Sequence, residues 1–401
     1  MKILIVNKFL YPNGGSETYI FTLGRQLCSM GHEVQYFGME HEGRVVGNHM
    51  ESYTSNMDFH GGGLQKLLYP FRIIYSREAR KKIRIVLDDF KPDVVHLNNF
   101  NFQITPSVIY EIKKWEKGAG RRVPIIYTAH DYQWICPNHM LMIPENGRLC
   151  FACRGARFIN CTKNRCIHGS GLKSLLGTIE AELYYYLRVY DKINQIICPS
   201  HFMEKMLSDN PVLAKRTVTL YNFLEKEENI SSGKKDYVLY FGRYTEEKGV
   251  LTLLKVCENL PGIPFVFAGS GPLKENVGKH KNITDLGFLQ GKDLKKVIAE
   301  ARFSIFPSQW YENCPFSVME SQSQGTPVIA SSMGGVPELV QDKVTGELFE
   351  AGNTAELTDR IRRLWSDREL CENYAGNCRA VRFDTSREYC DKLLDIYKKF
   401  M

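Results

Sequence analysis

The sequence has no uninterrupted apolar run of the length that a membrane span requires. A transmembrane helix needs about 18 predominantly apolar residues in succession, and no stretch of the 401 residues approaches that length. The first apolar run, which follows Lys2, covers only four residues. That run is too short for the core of a secretory signal peptide, and it predicts a first β-strand instead. We therefore expect a cytosolic chain, in which thiols stay reduced and a disulfide framework is disfavoured.

The chain also lacks low-complexity segments. Apolar residues make up 43% and charged residues 24% of the sequence, which is typical of soluble globular proteins. A length of 401 residues is too great for one ordinary hydrophobic core and predicts two domains.

Positive charge is unevenly spread, although the net charge of +7 is modest. Residues 61–90 contain seven Lys/Arg against three Asp/Glu, and residues 113–173 contain eleven against three. A basic first half predicts an anionic partner, such as a membrane surface, a phosphorylated substrate or a nucleic acid. The alternative for either block alone is a solvated charged face.

Short apolar segments alternate with helical patterns along the chain. Strands that read as continuous apolar runs, separated by helices, predict an α/β protein with parallel sheets wound on both faces. Ser16 is predicted to cap the first helix, which runs to about Met30. The polar segment 225–236 predicts a linker, after which the alternation restarts. We predict domains at residues 1–224 and 235–384, followed by a helix at 385–401.

Glycine, serine or charge follows every predicted strand of the second half. The strand exits carry Gly242-Arg243, Gly269-Ser270-Gly271, Gly287-Phe288, Pro307-Ser308 and Ser331-Ser332. Ligands of open parallel sheets bind at the carboxyl ends of the strands. Backbone amides with Arg243 and Lys248 suit phosphate groups, and a carboxylate suits a ribose. The joint pattern predicts a nucleotide diphosphate site, whereas each element alone is more typical of a tight turn.

The segment WYENCPFSVMESQSQGTPVIAS (310–331) carries two carboxylates around a predicted helix. Pro315 suits a first helical turn and Gly325 a C-terminal stop, so we predict a helix over about 315–324. Glu312 precedes this helix and Glu320 lies inside it. At a helix N-terminus the two could contact different parts of one ligand. The alternative is a capping Glu312 and a solvated Glu320.

With this segment the sequence resembles retaining glycosyltransferase family 4. Glu312 and Glu320, followed by GTPVIAS and GGVPEL, are similar to the signature of that family. Further similar segments are NGGSE (13–17), AHD (129–131), PSHF (199–202) with Asn222, FGR (241–243), EKG (247–249), GSG (269–271) and GF (287–288). The resemblance implies the GT-B fold, two Rossmann-like doubly wound domains facing across a cleft, with the final helix returning to the N-terminal domain.

The resemblance also implies roles for individual residues of the second half. Arg243 and Lys248 would hold the donor diphosphate and stabilise its charge as it leaves. Glu312 would contact the donor sugar and Glu320 the ribose hydroxyls. The backbone around the donor would be supplied by Gly269, Gly287, Cys314, Pro315, Phe316 and Ser317.

In the first half, the resemblance assigns Gly14 and Gly15 to a loop that approaches the diphosphate closely. His130 would point into the cleft near the transferred sugar, and a satisfied structural histidine is the alternative. No residue stands out as a nucleophile. The resemblance implies transfer by a same-face route in which the donor phosphate takes the acceptor proton, so no catalytic base is named. The chain lacks an Asp-x-Asp motif, which in the other glycosyltransferase fold binds the metal ion and, through it, the donor diphosphate. We therefore expect catalysis without a metal cofactor.

The implied activity is that of a hexosyltransferase acting with retention. The donor would be a nucleotide sugar, such as a UDP- or GDP-sugar. The acceptor would be a saccharide linked to polyprenyl diphosphate, in bacterial surface polysaccharide synthesis. Many family members have Gly-Phe-Gly after the first glutamate, where this chain has residues 313–317, NCPFS. This variant is similar to a branch common in surface-polysaccharide assembly, and it leaves the donor sugar open.

Two segments predict how the acceptor side is recognised. Residues 64–90 mix apolar and basic positions, and residues 171–193 are apolar and rich in tyrosine. Each could be an amphipathic surface for anionic lipid, or a helix that faces the core. Together with the basic first half they suit a peripheral enzyme at the inner face of the cytoplasmic membrane, with no nucleic-acid partner.

Three other classes of protein share part of the pattern. A nucleotide-cofactor oxidoreductase also has wound sheets, but the first loop lacks Gly-x-Gly-x-x-Gly. A nucleic-acid-binding module would need a recognition motif among its basic residues. A non-hydrolysing sugar-nucleotide epimerase can share the fold and would need no acceptor surface.

Four cysteines fall within the segment CFACRGARFINCTKNRC (150–166), inside an insertion at about 132–170. We expect this insertion to be a loop without regular structure, which needs a staple. Cys150, Cys153, Cys161 and Cys166 could supply four thiolates to a structural zinc, with His139 or His168 as a substitute ligand. Reduced thiols and disulfides are the alternatives. In each case the cysteines shape an acceptor-side loop and are not catalytic.

Overall fold

The computed structural model describes residues 1–56, 72–225 and 233–401. These residues form two compact units, Met1–Asn222 with Ser386–Met401 (unit 1) and Phe223–Thr385 (unit 2). Each unit contains one six-stranded parallel sheet. The predicted linker and the first part of the predicted surface at 64–90 lie largely outside the described residues.

Unit 1 has the strand order β2-β1-β3-β4-β7-β8. The strands are β1 (Lys2–Val6), β2 (Glu33–Phe37), β3 (Val94–Leu97), β4 (Ile125–Thr128), β7 (Gln195–Cys198) and β8 (Thr217–Thr219). The helices are Gly15–Ser29, Arg77–Phe90, Ser107–Ala119, Ile159–Lys163, Gly171–Tyr186, His201–Ser208 and Ser386–Lys398. Strands β3 and β4 are buried at every position, as expected for a sheet covered on both faces.

Unit 2 has the strand order β11-β10-β9-β12-β13-β14. The strands are β9 (Val238–Arg243), β10 (Phe265–Ser270), β11 (Ile283–Asp285), β12 (Phe303–Phe306), β13 (Val328–Ser331) and β14 (Gly346–Phe349). The helices are Val250–Asn259, Lys274–Val277, Gly291–Glu300, Phe316–Ser323, Val336–Leu339, Thr354–Ser366 and Arg368–Ala380. The chain moves outward from β9 to one edge of the sheet and then resumes at β12 on the other side. That reversal of direction between β9 and β12 is the topological switch point of a Rossmann-type sheet.

Both sheets confirm the prediction of two doubly wound α/β domains. Two local predictions differ in detail. The first helix begins at Gly15, and its N-cap, Gly14, makes no side-chain capping bond. Ser16 is not the cap, because its hydroxyl donates to Glu17 Oε1 at 2.8 Å. The helix predicted from Pro315 begins at Phe316, with Pro315 as its N-cap.

The last helix, Ser386–Lys398, belongs to unit 1 and packs against the first helix, Gly15–Ser29. Its side chains Tyr389, Leu393, Leu394 and Tyr397 are buried. The Tyr389 hydroxyl lies 2.8 Å from that of Tyr19. The end of the chain is therefore part of the core of the first unit, although that unit is otherwise built from the first 222 residues.

The cysteine-rich insertion has regular structure, contrary to expectation. It contains a two-stranded antiparallel hairpin, β5 (Met142–Ile143) with β6 (Arg148–Leu149), and the short helix Ile159–Lys163. That helix contacts the long helix Gly171–Tyr186. Among the described residues, no helix is both long and apolar enough to cross a lipid bilayer.

Candidate functional site

The switch point of the unit 2 sheet brings together cations and a carboxylate that are distant in sequence. Arg243 is the last residue of β9, and Lys248 lies in the turn before the helix Val250–Asn259. Ser308 and Glu312 follow β12, which pairs with β9. Because both strands end at the same edge, the polar residues after them share the position where such sheets bind ligands.

Lys248 and Glu312 form an ion pair at this edge. The Lys248 Nζ lies 2.5 Å from Glu312 Oε1, and the Ser308 hydroxyl donates to the same oxygen at 2.7 Å. The side chain of Glu312 is only 8% exposed, whereas that of Lys248 is 27% exposed. The ammonium group also lies 5.3 Å from the centre of the Trp310 ring. A buried carboxylate that accepts from two donors holds the partly exposed lysine in one orientation.

Close packing of the surrounding loops depends on two glycines. Gly249 has a φ of +73°, and a Cβ there would lie 1.8 Å from the carbonyl oxygen of Pro307. Gly334 has a φ of +63°, and its Cβ would lie 2.0 Å from the carbonyl oxygen of Glu312. The next amide, of Gly335, donates to that same carbonyl at 2.7 Å. The loops after β9, β12 and β13 therefore meet around Glu312 only because side chains are missing at these points.

The helix Phe316–Ser323 begins four residues after Glu312. Cys314 is buried, with its Sγ 3.6 Å from Met319 Sδ, so its thiol packs inward. Glu320 lies in the second turn and is half-buried. Ser317 lies in the first turn, where backbone amides have no acceptor inside the helix.

Gly269 and Gly287, the two glycines of unit 2 that the sequence predicted for the donor site, lie farther along the same edge of the sheet. Gly269 lies near the end of β10, paired with Gly242 of β9. The amide of Gly287 donates to Asp285 Oδ1 at 2.9 Å, and the Tyr244 hydroxyl donates to the same oxygen at 2.9 Å. This amide is therefore already satisfied within the protein.

Sequence reasoning placed Ser308 at a strand exit without giving it a role, and it missed several other polar groups of this edge. Ser308 and Trp310 both contact the ion pair, and Tyr244 with Asp285 braces the loop after β11. Among the described residues, the indole Nε1 of Trp310 and the hydroxyl of Thr245 are buried without a hydrogen-bond partner. Such groups are rare in folded proteins unless a ligand or water satisfies them. The signal that could have found Ser308 and Trp310 is their place between a strand end and Glu312.

In unit 1, His130 follows β4 and is half-buried. Its Nε2 lies 2.9 Å from the Asn98 side-chain oxygen, which can only accept, so Nε2 carries the proton. Burial lowers the pKa of His130 to about 4, and the neighbouring Asp131 opposes that shift. Asp131 is itself bound by His139 Nδ1 at 3.1 Å. His130 is consequently a neutral, oriented imidazole near pH 7.

A buried polar network lies behind His130. The Tyr19 ring approaches the His130 ring edge-on, with centroids 5.0 Å apart. The Tyr19 hydroxyl lies 3.1 Å from that of Thr128, which in turn lies 2.8 Å from His96 Nε2. The other nitrogen of His96 lies 2.6 Å from the hydroxyl of Tyr397. Burial lowers the pKa of His96 to about 3, so the network is uncharged and ties His130 to the final helix.

The glycine loop of unit 1 contains Gly14 and Gly15 at the start of the first helix. Gly14 has an extended backbone with a φ of −176°, which any residue adopts, so its conformation alone does not require glycine. Glu17 is buried beside this loop and accepts from Asn7 Nδ2 at 2.9 Å. The sequence motif NGGSE therefore includes a structural carboxylate.

Three of the four cysteines pack as small apolar side chains, Cys150 is half-buried, and the zinc prediction for the four is not supported. Cys153, Cys161 and Cys166 are buried in a cluster with Phe158 and Ala181. None of the twelve cysteines is in a disulfide. Across the described ranges, no group of three or more His, Cys, Asp or Glu side chains is arranged to hold a metal ion. Of the two possible substitute ligands, His139 binds Asp131 and His168 is exposed.

Comparison with known proteins gives two matches to family models. The model described as "Glycosyltransferase Family 4" matches residues 13–228, and that described as "Glycosyl transferases group 1" matches residues 222–381. An uncharacterized glycosyltransferase of Methanocaldococcus jannaschii is 27% identical over 230 residues, 56% of this chain. The chain spans 64% of the length of that relative, less than two thirds.

Two further proteins match over most of the chain. An uncharacterized 42.6 kDa protein in the cps region of Klebsiella pneumoniae is 24% identical over 84% of this chain and 87% of its own length. The crystal structure of Anabaena Alr3699/HepE in complex with UDP and glucose is 18% identical, covers 100% of both chains and has a TM-score of 0.67. This likeness to a solved structure is one of fold, and it confirms the prediction of two Rossmann-like domains of the GT-B type.

Proposed function

Because the chain belongs to glycosyltransferase family 4, we propose that it transfers a sugar from a nucleotide diphosphate sugar to a saccharide acceptor. The observation that carries this proposal is the cluster of Lys248, Ser308 and Glu312 at the switch point of the unit 2 sheet. The Anabaena protein of similar fold binds UDP and glucose, which are the two chemical parts of such a donor. A fold can host many activities, so the site chemistry has to support the assignment separately.

The donor diphosphate suits the cationic edge beside β9. Arg243 is exposed at the end of that strand, and the partly exposed Lys248 is held in place by Glu312. Two cations there would bind the phosphates and stabilise the negative charge that develops as the diphosphate leaves. Backbone groups of Gly269, Gly287 and the segment 314–317 would line the rest of this donor site.

The two glutamates divide the remaining polar parts of the donor. Lys248 and Ser308 both bind Oε1 of Glu312, which leaves Oε2 to accept from a hydroxyl of the donor sugar. Glu320, half-buried in the second turn of its helix, would accept from the ribose hydroxyls. In this arrangement Glu312 serves both the sugar and the lysine that holds the phosphates.

Unit 1 would contribute His130 and the loop of Gly14 and Gly15. A neutral imidazole can hydrogen-bond a sugar hydroxyl without adding a further positive charge. The low pKa of His130 and its bond to Asn98 both support that role. The glycines would let the loop backbone approach the diphosphate.

We further propose retention at the transferred carbon. The bond from that carbon to the diphosphate oxygen breaks, the acceptor oxygen bonds to the same face, and the acceptor proton passes to the leaving phosphate. We assign no side chain as a general base, and the carboxylate of Glu312 is bound to Lys248. The epimerase alternative is not favoured, because both matching family models describe transferases.

We propose as acceptor a saccharide carried on a polyprenyl diphosphate lipid, in bacterial surface polysaccharide synthesis. The relative in a cps region of Klebsiella pneumoniae supports this class. The excess of basic residues at 113–173 suits an anionic lipid carrier and a peripheral position at the inner face of the cytoplasmic membrane.

A panel of UDP- and GDP-sugars tests the transferase assignment. The protein should slowly release free nucleotide from one donor, and Glu312→Gln should lower that rate by about 10²-fold without changing the circular dichroism. Glu369→Gln, which neutralises an exposed acid on an outer helix of the same unit, is the matched control. Interconversion of sugars without nucleotide release would show an epimerase, and release from no donor would overturn the proposal.

A further inference from the structure

The helix Gly171–Tyr186 packs against the rest of unit 1 through its less apolar face. Its buried residues are Ser174, Gly177, Thr178, Glu180, Ala181 and Tyr184. Most of its large apolar side chains are exposed instead. Those of Leu172, Leu175, Ile179, Leu183, Tyr186 and the adjacent Leu187 are between 39% and 75% exposed. We call these six residues the apolar stripe.

Polar contacts fix this orientation. The Thr178 hydroxyl donates to the carbonyl of Phe158 at 3.1 Å, and the Ser174 hydroxyl accepts from the Ile167 amide at 2.9 Å. Farther along, the Tyr184 hydroxyl donates to the carbonyl of Ile74. Rotating the helix to bury its leucines would break these bonds, so the outward position of the stripe is built into the packing.

The spacing makes the stripe continuous. Steps of three, four, four and three residues lead from Leu172 to Tyr186, and such steps return to the same side of a helix. At 1.5 Å per residue the stripe is about 22 Å long. Single exposed apolar residues are ordinary, but a contiguous apolar row on a folded chain marks an interaction surface.

The surroundings of the stripe are strongly basic. Residues 150–188 contain six Lys/Arg against two Asp/Glu. Lys163 and Arg165 are exposed at the end of the short helix that packs beside the stripe helix, and Lys173 is exposed next to Leu172. Of the two acids, Glu180 is buried, and burial raises its pKa to about 8, so it is mainly uncharged at neutral pH.

We propose that the apolar stripe and its basic flank form a docking surface for an anionic lipid bilayer. The stripe would enter the boundary between headgroups and acyl chains, with the helix lying in the membrane plane. Lys163, Arg165 and Lys173 would bind the acidic headgroups. The positive charge favours lipid over a second copy of this chain, because two copies would bring like charges together.

This surface gives the proposed peripheral position a location on the chain, and it does not depend on the transfer reaction. It also bears on the two segments, 64–90 and 171–193, for which the sequence left open a lipid-binding surface or a helix that faces the core. The described part of the first segment ends in the helix Arg77–Phe90, whose apolar residues Ile83, Val86, Leu87 and Phe90 are buried, while Ile85 is exposed. Among the described residues of the two segments, the stripe helix is the one with a row of exposed apolar side chains.

Vesicle co-sedimentation of the full chain tests the proposal without donor or acceptor. The protein should bind vesicles that contain phosphatidylglycerol, bind pure phosphatidylcholine far less, and dissociate as salt is raised. The triple variant Leu175→Gln, Ile179→Gln, Leu183→Gln should lower binding by at least about tenfold. The double variant Lys163→Gln, Arg165→Gln should weaken binding to the anionic vesicles and leave the residual binding to phosphatidylcholine unchanged.

The matched control removes exposed apolar side chains elsewhere. Leu251→Gln with Val344→Gln changes two exposed positions of unit 2 and should bind vesicles as the wild type does. All variants alter solvent-exposed residues, so unfolding temperatures should stay unchanged. Absence of binding to anionic vesicles would overturn the proposal, as would a wild-type dimer in sedimentation analysis that becomes monomeric in the triple variant. Loss of transferase activity would bear on the proposed function alone.

Discussion

Replacing Glu180 with glutamine is expected to stabilise the helix Gly171–Tyr186 at pH 8 much more than at pH 5. The Glu180 side chain is buried, and its Oε1 has no hydrogen-bond partner among the described residues. Burial penalises the charged form and raises the pKa of this carboxyl from its ordinary value of 4.5 to about 8. The folded state therefore keeps a proton that the unfolded state releases at neutral pH.

The sign and size of the stabilisation by Glu180→Gln follow from that difference in proton binding. A carboxyl with a raised folded pKa contributes no destabilisation below pH 4.5, and its penalty grows as the pH rises toward 8. At 1.36 kcal/mol for each pH unit, the penalty is about 1 kcal/mol at pH 5 and about 4 kcal/mol at pH 8. Glutamine stays neutral at both values, so the advantage of Glu180→Gln should increase by about 3 kcal/mol, roughly a 100-fold change in the opening equilibrium.

Hydrogen–deuterium exchange of this helix measures the effect locally, which suits a chain of two units. Wild type and variant are compared at the same pH, so the intrinsic pH dependence of exchange cancels. Glu42→Gln, which removes an exposed carboxyl of the same unit, controls for the change in net charge. An equal difference between wild type and Glu180→Gln at pH 5 and pH 8 would refute the assignment of a protonated, buried Glu180.

Three further predictions concern the candidate site. In a calorimetric titration, Gly334→Ala should weaken binding of a nucleoside diphosphate about tenfold, because the new Cβ would lie 2.0 Å from the Glu312 carbonyl oxygen. The control is Gly352→Ala, at a glycine with a φ of +80° but no backbone atom near its Cβ position. This variant should leave the affinity unchanged. The His130 imidazole should titrate near pH 4 by NMR, and since its folded pKa is lowered, stability should fall as the pH drops from 6.5 toward 4; a midpoint near 6.5 would contradict its burial. Glu320→Ala should weaken binding of the bare nucleoside diphosphate by about 1–2 kcal/mol in calorimetry, and unchanged affinity would end its assignment to the ribose.

Local patterns were enough to predict the architecture. The buried run Ile3–Val6 predicted β1, and the similar runs at 94–97 and 125–128 predicted β3 and β4. Such runs identify parallel strands because a sheet covered by helices on both faces has no polar side. The helix 316–323 was predicted to within one residue at each end from its flanking proline and glycine.

Predictions that required a specific three-dimensional arrangement of side chains failed or stayed open. The Cys-x2-Cys spacing suggested a zinc site, but three of the four thiols pack with Phe158 and Ala181, since spacing does not determine where four sulfurs point. Serine is a common N-cap residue, but the helix starts at Gly15, one residue before Ser16. The Ser16 hydroxyl donates to the Glu17 carboxylate and does not cap the helix. The roles of Arg243, Glu320 and the glycine loop remain predictions that the binding experiments address.

The amino-acid sequence by itself determined two wound α/β domains and a ligand edge at the strand exits, because strand and helix periodicity and turn residues act within a few neighbours. Only the tertiary structure decided that Lys248 meets Glu312, 64 residues later, since that contact depends on β9 and β12 being neighbours in the sheet. It likewise decided which side of the helix Gly171–Tyr186 is exposed. An amphipathic pattern shows that a helix has two faces, but it does not show which face is buried. Here the buried face is the one that hydrogen-bonds the backbone of Phe158, Ile167 and Ile74.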